Sequence, residues 1–196
     1  MNELDKFLSI RTNNIKPARG RILLSEPLMG DYFFGRSVVL LAEHNEEGSF
    51  GAILNKPVSA NFNDVVKGFP EFDAPMYLGG PVDTENLFYI HTKGDQLGDS
   101  LEIINGLYWG GDLEALKEMM LLKAISPEDI RFFIGYSGWT ANQLDSELKK
   151  NSWIIAKATK EYVMDIKPVT MWETLVNKMG EKYRYWKNFP IDPAAN

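Results

Sequence analysis

Ser137 lies within Gly135-Tyr136-Ser137-Gly138-Trp139, between an apolar run and a polar segment, where a nucleophile could sit. A nucleophile elbow reads Gly-x-Ser-x-Gly, because glycines two positions either side of the serine let a tight strand-to-helix turn expose its hydroxyl. Here the second glycine comes one residue early and Trp139 takes its place. A base would have to be His44 or His91, both upstream of the serine, against the serine, acid, histidine order of that fold. Convergent sites ignore chain order, so a hydrolase using Ser137 with His44 or His91 stays open beside the simpler reading of a small turn residue.

A second group is Gln143, Glu147 and Trp153. The spacing from 143 to 147 puts amide and carboxylate on one helix face, and Trp153 opens the next apolar run, where it can pack beneath them. The structural reading of the same residues is a capping glutamine, a solvated glutamate and a core tryptophan. His44 stands in a polar stretch beside Glu43 and Asn45, and His91 ends the run Leu87-Phe88-Tyr89-Ile90. Either histidine could serve as base or ligand, or as a structural hydrogen-bonding partner. Gly79-Gly80-Pro81 lacks the lysine and the glycine spacing of a phosphate cradle. With no cysteine and two histidines, a metal site would rest on carboxylates, and no ligand spacing is present. No metal and no cofactor is expected.

These residues need a scaffold, and composition bounds it. A chain of 196 residues suits one domain, and 44% hydrophobic residues with five Trp, eight Tyr and eleven Phe can build a large core. No apolar run reaches the roughly 18 to 20 residues of a membrane span, and Met1 to Ile10 is interrupted by Glu3, Asp5 and Lys6. We therefore expect a cytoplasmic protein without a membrane partner, which the absence of cysteine also fits.

The net charge of −6 conceals an asymmetry. Residues 1–148 carry 12 basic and 22 acidic side chains, and residues 149–187 carry nine and four. The basic segment interleaves Trp153, Tyr162, Trp172, Tyr183, Tyr185 and Trp186 with lysines and Arg184. Cations beside stacking rings suit single-stranded nucleic acid. The same pattern describes amphipathic structure whose rings pack inward while its lysines face water, and the acidic whole disfavours a nucleic-acid partner.

Along the chain, a short amphipathic helix with Leu4, Phe7 and Leu8 on one face is expected in a 1–19 extension. Strands follow at Arg21–Leu24, Ser37–Ala42 and Phe50–Leu54, the last two forming a hairpin with the long loop Glu43 to Gly48. Asn55-Lys56-Pro57 stops that strand, and Asn61 caps a short helix. Met76–Leu78 runs into Gly79-Gly80-Pro81, and Leu87–His91 and Leu101–Ile104 are further strands. Asp112 caps a helix to about Ile125 with Leu113, Leu116 and Met120 on its buried stripe, and Ser126-Pro127-Glu128-Asp129 starts another turn. Phe132–Tyr136 reads as a central strand, Thr140-Ala141-Asn142-Gln143 as a capping box, Trp153–Ala156 as a strand, and Thr170 as the start of a last helix. The sum is an α+β fold over 20–190: a single compact domain with a mixed, largely antiparallel coiled sheet flanked by helices.

The pieces resemble the YqgE/AlgH family of bacterial proteins. The resemblance rests on Asp31-x-x-Phe34-x-Arg36-Ser37-Val38-Val39, Glu43-His44-Asn45 with Gly48 and Gly51, Asn55-Lys56-Pro57, Gly79-Gly80-Pro81, His91-Thr92, Gly135-Tyr136 with Trp139, Gln143-Leu144, Glu147 and Trp153, in family order over about residues 20–180. Tyr32 departs from it where a proline usually follows the aspartate, and Thr140-Ala141-Asn142 replaces the usual proline or glycine before Gln143. The resemblance implies a compact domain of coiled, branching sheets and no established catalytic residues. Members are mostly uncharacterised, and some carry a transcriptional-regulator label, although nothing here reads as a helix-turn-helix. We therefore expect a non-enzymatic binding or regulatory protein with a small-molecule or protein partner. Its candidate binding and motif residues are His44, Asn55, Gly79, Gly80, Pro81, His91, Gly138, Trp139, Gln143, Glu147 and Trp153.

Overall fold

The computed structural model describes residues 13, 15–164 and 167–190; the expected helix at Leu4, Phe7 and Leu8 lies outside them. Ten strands form one branched sheet: β1 Arg21–Ser25, β2 Val38–Asn45, β3 Gly48–Ile53, β4 Pro57–Asn61, β5 Pro75–Leu78, β6 Val82–His91, β7 Leu101–Ile104, β8 Leu107–Trp109, β9 Ile130–Thr140 and β10 Trp153–Lys157. The main path runs β10-β1-β2-β3-β9-β6-β8-β7, with β5 also on β9 and β4 on β5. Among the described residues only the β5–β9 pairing is parallel, so the sheet is mixed and largely antiparallel. Among the described residues five α-helices flank it: α1 Phe62–Val65, α2 Leu113–Leu121, α3 Gln143–Lys149, α4 Lys160–Met164 and α5 Pro168–Lys178.

The centre is β9, whose apolar run has partners on both edges. One edge pairs β6 from Ile130 to Tyr136, with a register shift between Val82 and Leu87. The other pairs β5 at Phe132, Phe133 and Ile134, then β3 from Ser137 to Thr140. The hand-over happens at Gly135, in the left-handed region at φ 66°. There the backbones of two diverging strands touch. A Cβ on Gly79 would lie 2.2 Å from the Gly135 carbonyl oxygen, and one on Gly135 2.7 Å from that of Gly80. The Gly79 carbonyl accepts from the Ile53 amide at 2.9 Å and from the Ser137 hydroxyl at 2.9 Å, stitching β3, β5 and β9 together.

Alternation along β9 breaks at the same glycine. Phe133 faces the principal core, with Ile22, Leu40, Ala52, Ile90, Ile154 and α5 residues Met171, Trp172 and Leu175. Phe132 lies on the other face, in a core closed by α1 and α2. Past Gly135 the outward face carries Trp139, packed with Leu23, Val39, Ile53, Trp153 and α3 residues Leu144 and Leu148. The sheet curls until β7 returns against β2, where Arg19 donates to the Glu102 carbonyl.

Several expected elements are shifted. The β2–β3 hairpin has a two-residue turn, Glu46-Glu47, instead of a long loop, because Glu43, His44 and Asn45 pair with Phe50, Ser49 and Gly48 after a bulge. Helix α2 is capped by Asp112 at the Ala115 amide as expected, but it ends at Leu121. Its buried side is Leu116, Met119 and Met120, while Leu113 is exposed. Helix α3 starts at Gln143 behind left-handed Asn142, so only half of the expected box forms: the Gln143 side chain accepts from the Thr140 amide at 3.0 Å. Asn61 with Asp64 and Ser126 with Asp129 form complete boxes.

Gly79→Ala should lower unfolding free energy by about 3 kcal/mol or more, because its Cβ meets backbone that other strands hold in place. Gly68, at φ 81° with open space around it, should cost only about 1 kcal/mol as Gly68→Ala. Chemical denaturation of the two variants tests the difference, and equal losses would contradict the branch as the point of constraint.

Candidate functional site

Glu147 is held at the outer face of β9. One oxygen, Oε2, accepts from the Trp139 indole at 2.9 Å and from the Trp153 indole at 2.8 Å; Oε1 accepts from the Gln143 amide at 3.1 Å. Helix spacing brings Gln143 and Glu147 together, while β9 and β10 deliver the two indoles. The rings pack edge to face, 6.0 Å apart at 80°, and Phe34 lies against both. This carboxylate ties α3 to two strands, its lone pairs occupied by nitrogen donors.

The remaining polar candidates are also engaged. Ser137 is fully buried and donates to Gly79, and no hydrogen bond joins it to either imidazole among the described residues. His91 is fully buried and stacks on Tyr108. Its Nδ1 accepts from the Lys93 amide at 3.2 Å, which makes Nε2 the protonated nitrogen and the donor to the Gly110 carbonyl at 2.8 Å. Burial pushes its pKa below the ordinary 6.5, against the pull of the Gly110 bond. His44 Nδ1 lies 2.7 Å from the Ser49 hydroxyl, its cross-strand neighbour. Asn55 accepts from the Val38 amide at 2.8 Å and donates to the Arg36 carbonyl at 2.9 Å, fixing the start of β2 where Arg36 has φ 49°. Gly80 passes the branch beside Gly79, and Pro81 leads the chain into β6.

On the inner face of β9 a cleft of about 780 Å³ opens. Its floor is four half-buried rings, one from each of four neighbouring strands: Phe50 of β3, Tyr136 of β9, Phe88 of β6 and Trp109 of β8. They form a closed circuit, Phe50 to Tyr136 at 6.4 Å, Tyr136 to Phe88 at 5.2 Å, Phe88 to Trp109 at 5.9 Å and Trp109 to Phe50 at 5.5 Å. Gly138 pairs with Phe50 and keeps the space open: its Cβ would come 3.2 Å from the Tyr136 ring. Glu43, Glu47 and Asp83 line the sides, Glu43 paired with Arg19, whose hydrogen bond holds the carboxyl below the usual range. A smaller hollow of about 290 Å³ beside it includes His44, Glu46, Asn142 and Asp145.

Of the residues singled out from sequence, Gly138, Trp139 and Gln143 therefore border the cleft and His44 borders its neighbour. Phe50, Phe88, Trp109 and Tyr136 were missed, each being one ring in its own strand. Their signal was the inward register of β3, Phe50-x-Ala52-x-Leu54, opposite a small residue. The rings of segment 149–187 face inward, with Trp153, Trp172, Tyr183 and Trp186 all buried and Tyr162 covered by Lys178 at 4.3 Å.

The sequence profile of the AlgH-like family matches residues 22–184. The chain belongs to this family. It is similar to UPF0301 protein BF2109 of Bacteroides fragilis, 46% identical with both chains fully covered, and to a UPF0301 protein of Cytophaga hutchinsonii, 44% identical over 91% of this chain and 98% of the other. Among solved structures, AlgH from Pseudomonas aeruginosa is 28% identical with a TM-score of 0.69, covering 86% of this chain and 93% of that one. Protein DIP2367 from Corynebacterium diphtheriae, at 23% identity and TM-score 0.76 over 91% and 95% of the two chains, shares the fold. In this AlgH-like chain, Gly79, Gly80, Asn55 and Glu147 all touch backbone crossings or packed indoles. No helix among the described residues is long and apolar enough to cross a membrane.

Two outcomes follow. Glu147→Ala leaves two packed indole N–H groups without their acceptor and should cost about 2–4 kcal/mol, read as a lower denaturation midpoint with altered tryptophan emission. For His91, the unfolded chain binds its proton at higher pH than the folded one does. The neutral-histidine contribution is thus complete above the ordinary pKa of 6.5 and declines as pH falls below it. His91→Gln should flatten the pH dependence of stability in that window; an unchanged slope would show that His91 does not cause it.

Proposed function

We propose that this AlgH-like chain is a cytoplasmic, non-enzymatic binding protein, regulatory through what it binds, and that its ligand site is the cleft on the inner face of β9. The observation that carries the reading is the ring circuit beneath an open volume of about 780 Å³. That size suits a small molecule, and rings carried by strands of a curled sheet are preformed for binding. The state of the nucleophile and base candidates supports binding over catalysis: Ser137 is buried on a carbonyl and His91 is locked in one tautomer.

The test is a thermal-shift panel of nucleotides, sugars, amines and peptides on the wild type and on Gly138→Val, which fills the cleft at a position of ordinary backbone geometry. A true ligand at about 100 times its dissociation constant adds about 2.7 kcal/mol, or roughly 5–10 °C for a chain of this size. It should stabilise the wild type and leave Gly138→Val unmoved. A ligand that stabilises both equally would place binding elsewhere.

A further inference from the structure

The cleft pairs aromatic rings with acidic side chains. Five rings elsewhere carry the protein's own cations: Arg36 lies 5.0 Å from the centre of Trp172, Arg131 5.4 Å from Tyr77, Lys178 4.3 Å from Tyr162, Lys182 5.2 Å from Tyr183 and Lys117 5.7 Å from Phe69. Among the described residues, no such cation sits on Phe50, Phe88, Trp109 or Tyr136. Among the described residues no lysine, arginine or histidine lines the cleft either, whereas Glu43, Glu47 and Asp83 do. Arg19 engages Glu43 and the Asn86 amide donates to Asp83 at 2.7 Å, so among the described residues Glu47 and Asp83 are the lining carboxylates without a basic partner, one on the β2–β3 turn and one at the start of β6.

We propose that the cleft binds a small organic cation, an alkylammonium or guanidinium compound. Its charge lies near the carboxylates of Glu47 and Asp83, and its apolar body rests on Phe50, Phe88, Trp109 and Tyr136. Ring quadrupoles attract a cation whose hydration is weak, and quaternary ammonium and guanidinium groups meet that condition. A bare metal ion does not suit the site, because no group of three or more candidate ligands converges among the described residues. Phosphate-bearing ligands are disfavoured by the same carboxylates. The inference rests on the cleft being the binding site and adds the class of ligand.

Calorimetric titration of the full chain with choline, agmatine and the neutral carbon isostere of choline tests it. Choline or agmatine should bind saturably, and the neutral isostere about 10-fold or more weakly. The exposed pair Glu47→Gln with Asp83→Asn should weaken the cations several-fold, lessen their salt dependence and leave the isostere unaffected. Trp109→Ala, with its fold checked by circular dichroism, should weaken all three. Equal affinity for choline and its neutral isostere would overturn the charge preference while leaving the cleft as a ligand site. The same would follow if neither cation bound while a neutral ligand from the thermal-shift panel did. Cation binding that survives unchanged in Gly138→Val would remove the cleft itself.

Discussion

One strand must satisfy two neighbours along a single edge. The β9 backbone gives its donors and acceptors to β5 for three residues and, two residues further on, to β3 for four, and the two partners diverge between Ile134 and Ser137. Buried peptide groups need partners, so the gap between the pairings must be short, and short gaps force backbones into contact. Gly79 and Gly135 make that contact tolerable, since any side chain there would collide with a carbonyl oxygen. The buried hydroxyl of Ser137 completes the junction by donating to the Gly79 carbonyl. A serine that in sequence suggests a small turn residue, with a nucleophile as the alternative, is thus a rivet within a strand.

The parity change at Gly135 has consequences on both faces. Without it, Tyr136 would share a face with Phe132, and the far end of β9 would present the opposite set of side chains. With it, Tyr136 and Gly138 turn toward Phe50 and Phe88, while Trp139 turns toward α3. The ring cleft and the Glu147 knot therefore lie back to back on one strand. Glu147 holds α3 against β9 and β10 through two indoles on the face opposite the open cleft.

Much of this was legible in local pattern. Alternating apolar residues located most strands of the sheet, and the caps at Asn61, Asp112 and Ser126 stand where side-chain chemistry requires. The family motifs were legible as well, and so was the grouping of Gln143, Glu147 and Trp153, because helix spacing and a neighbouring strand bring them together. The branch was not, since a glycine pair at 79–80 and a glycine at 135 meet only after the sheet forms. The same holds for the cleft: Phe50, Phe88, Trp109 and Tyr136 span 87 positions of the chain, and each alone looks like an ordinary core ring. The hairpin loop was misjudged because Glu43, His44 and Asn45 are polar, yet they lie at the end of a strand whose outer positions reach water, where polarity does not break pairing.

The basic C-terminal quarter shows why charge and rings in one segment need not make one site. Trp172 and Trp186 stack at 16° with centres 6.4 Å apart inside the principal core, and the Trp172 indole donates to the Ser25 carbonyl. The segment's Lys149, Lys150, Lys157, Lys160, Lys182 and Lys187 are exposed, and the cation over Trp172 is Arg36, from outside the segment. A base seeking to stack there would have to displace packed side chains, which costs more than the roughly 1–3 kcal/mol that stacking returns. The inner end of β9 is the reverse case. Its rings are supported from below by the core and half open above, and the charge beside them is negative. Complementarity then follows from the lining: rings beside carboxylates, with no basic side chain among the described lining residues, match a cation from outside.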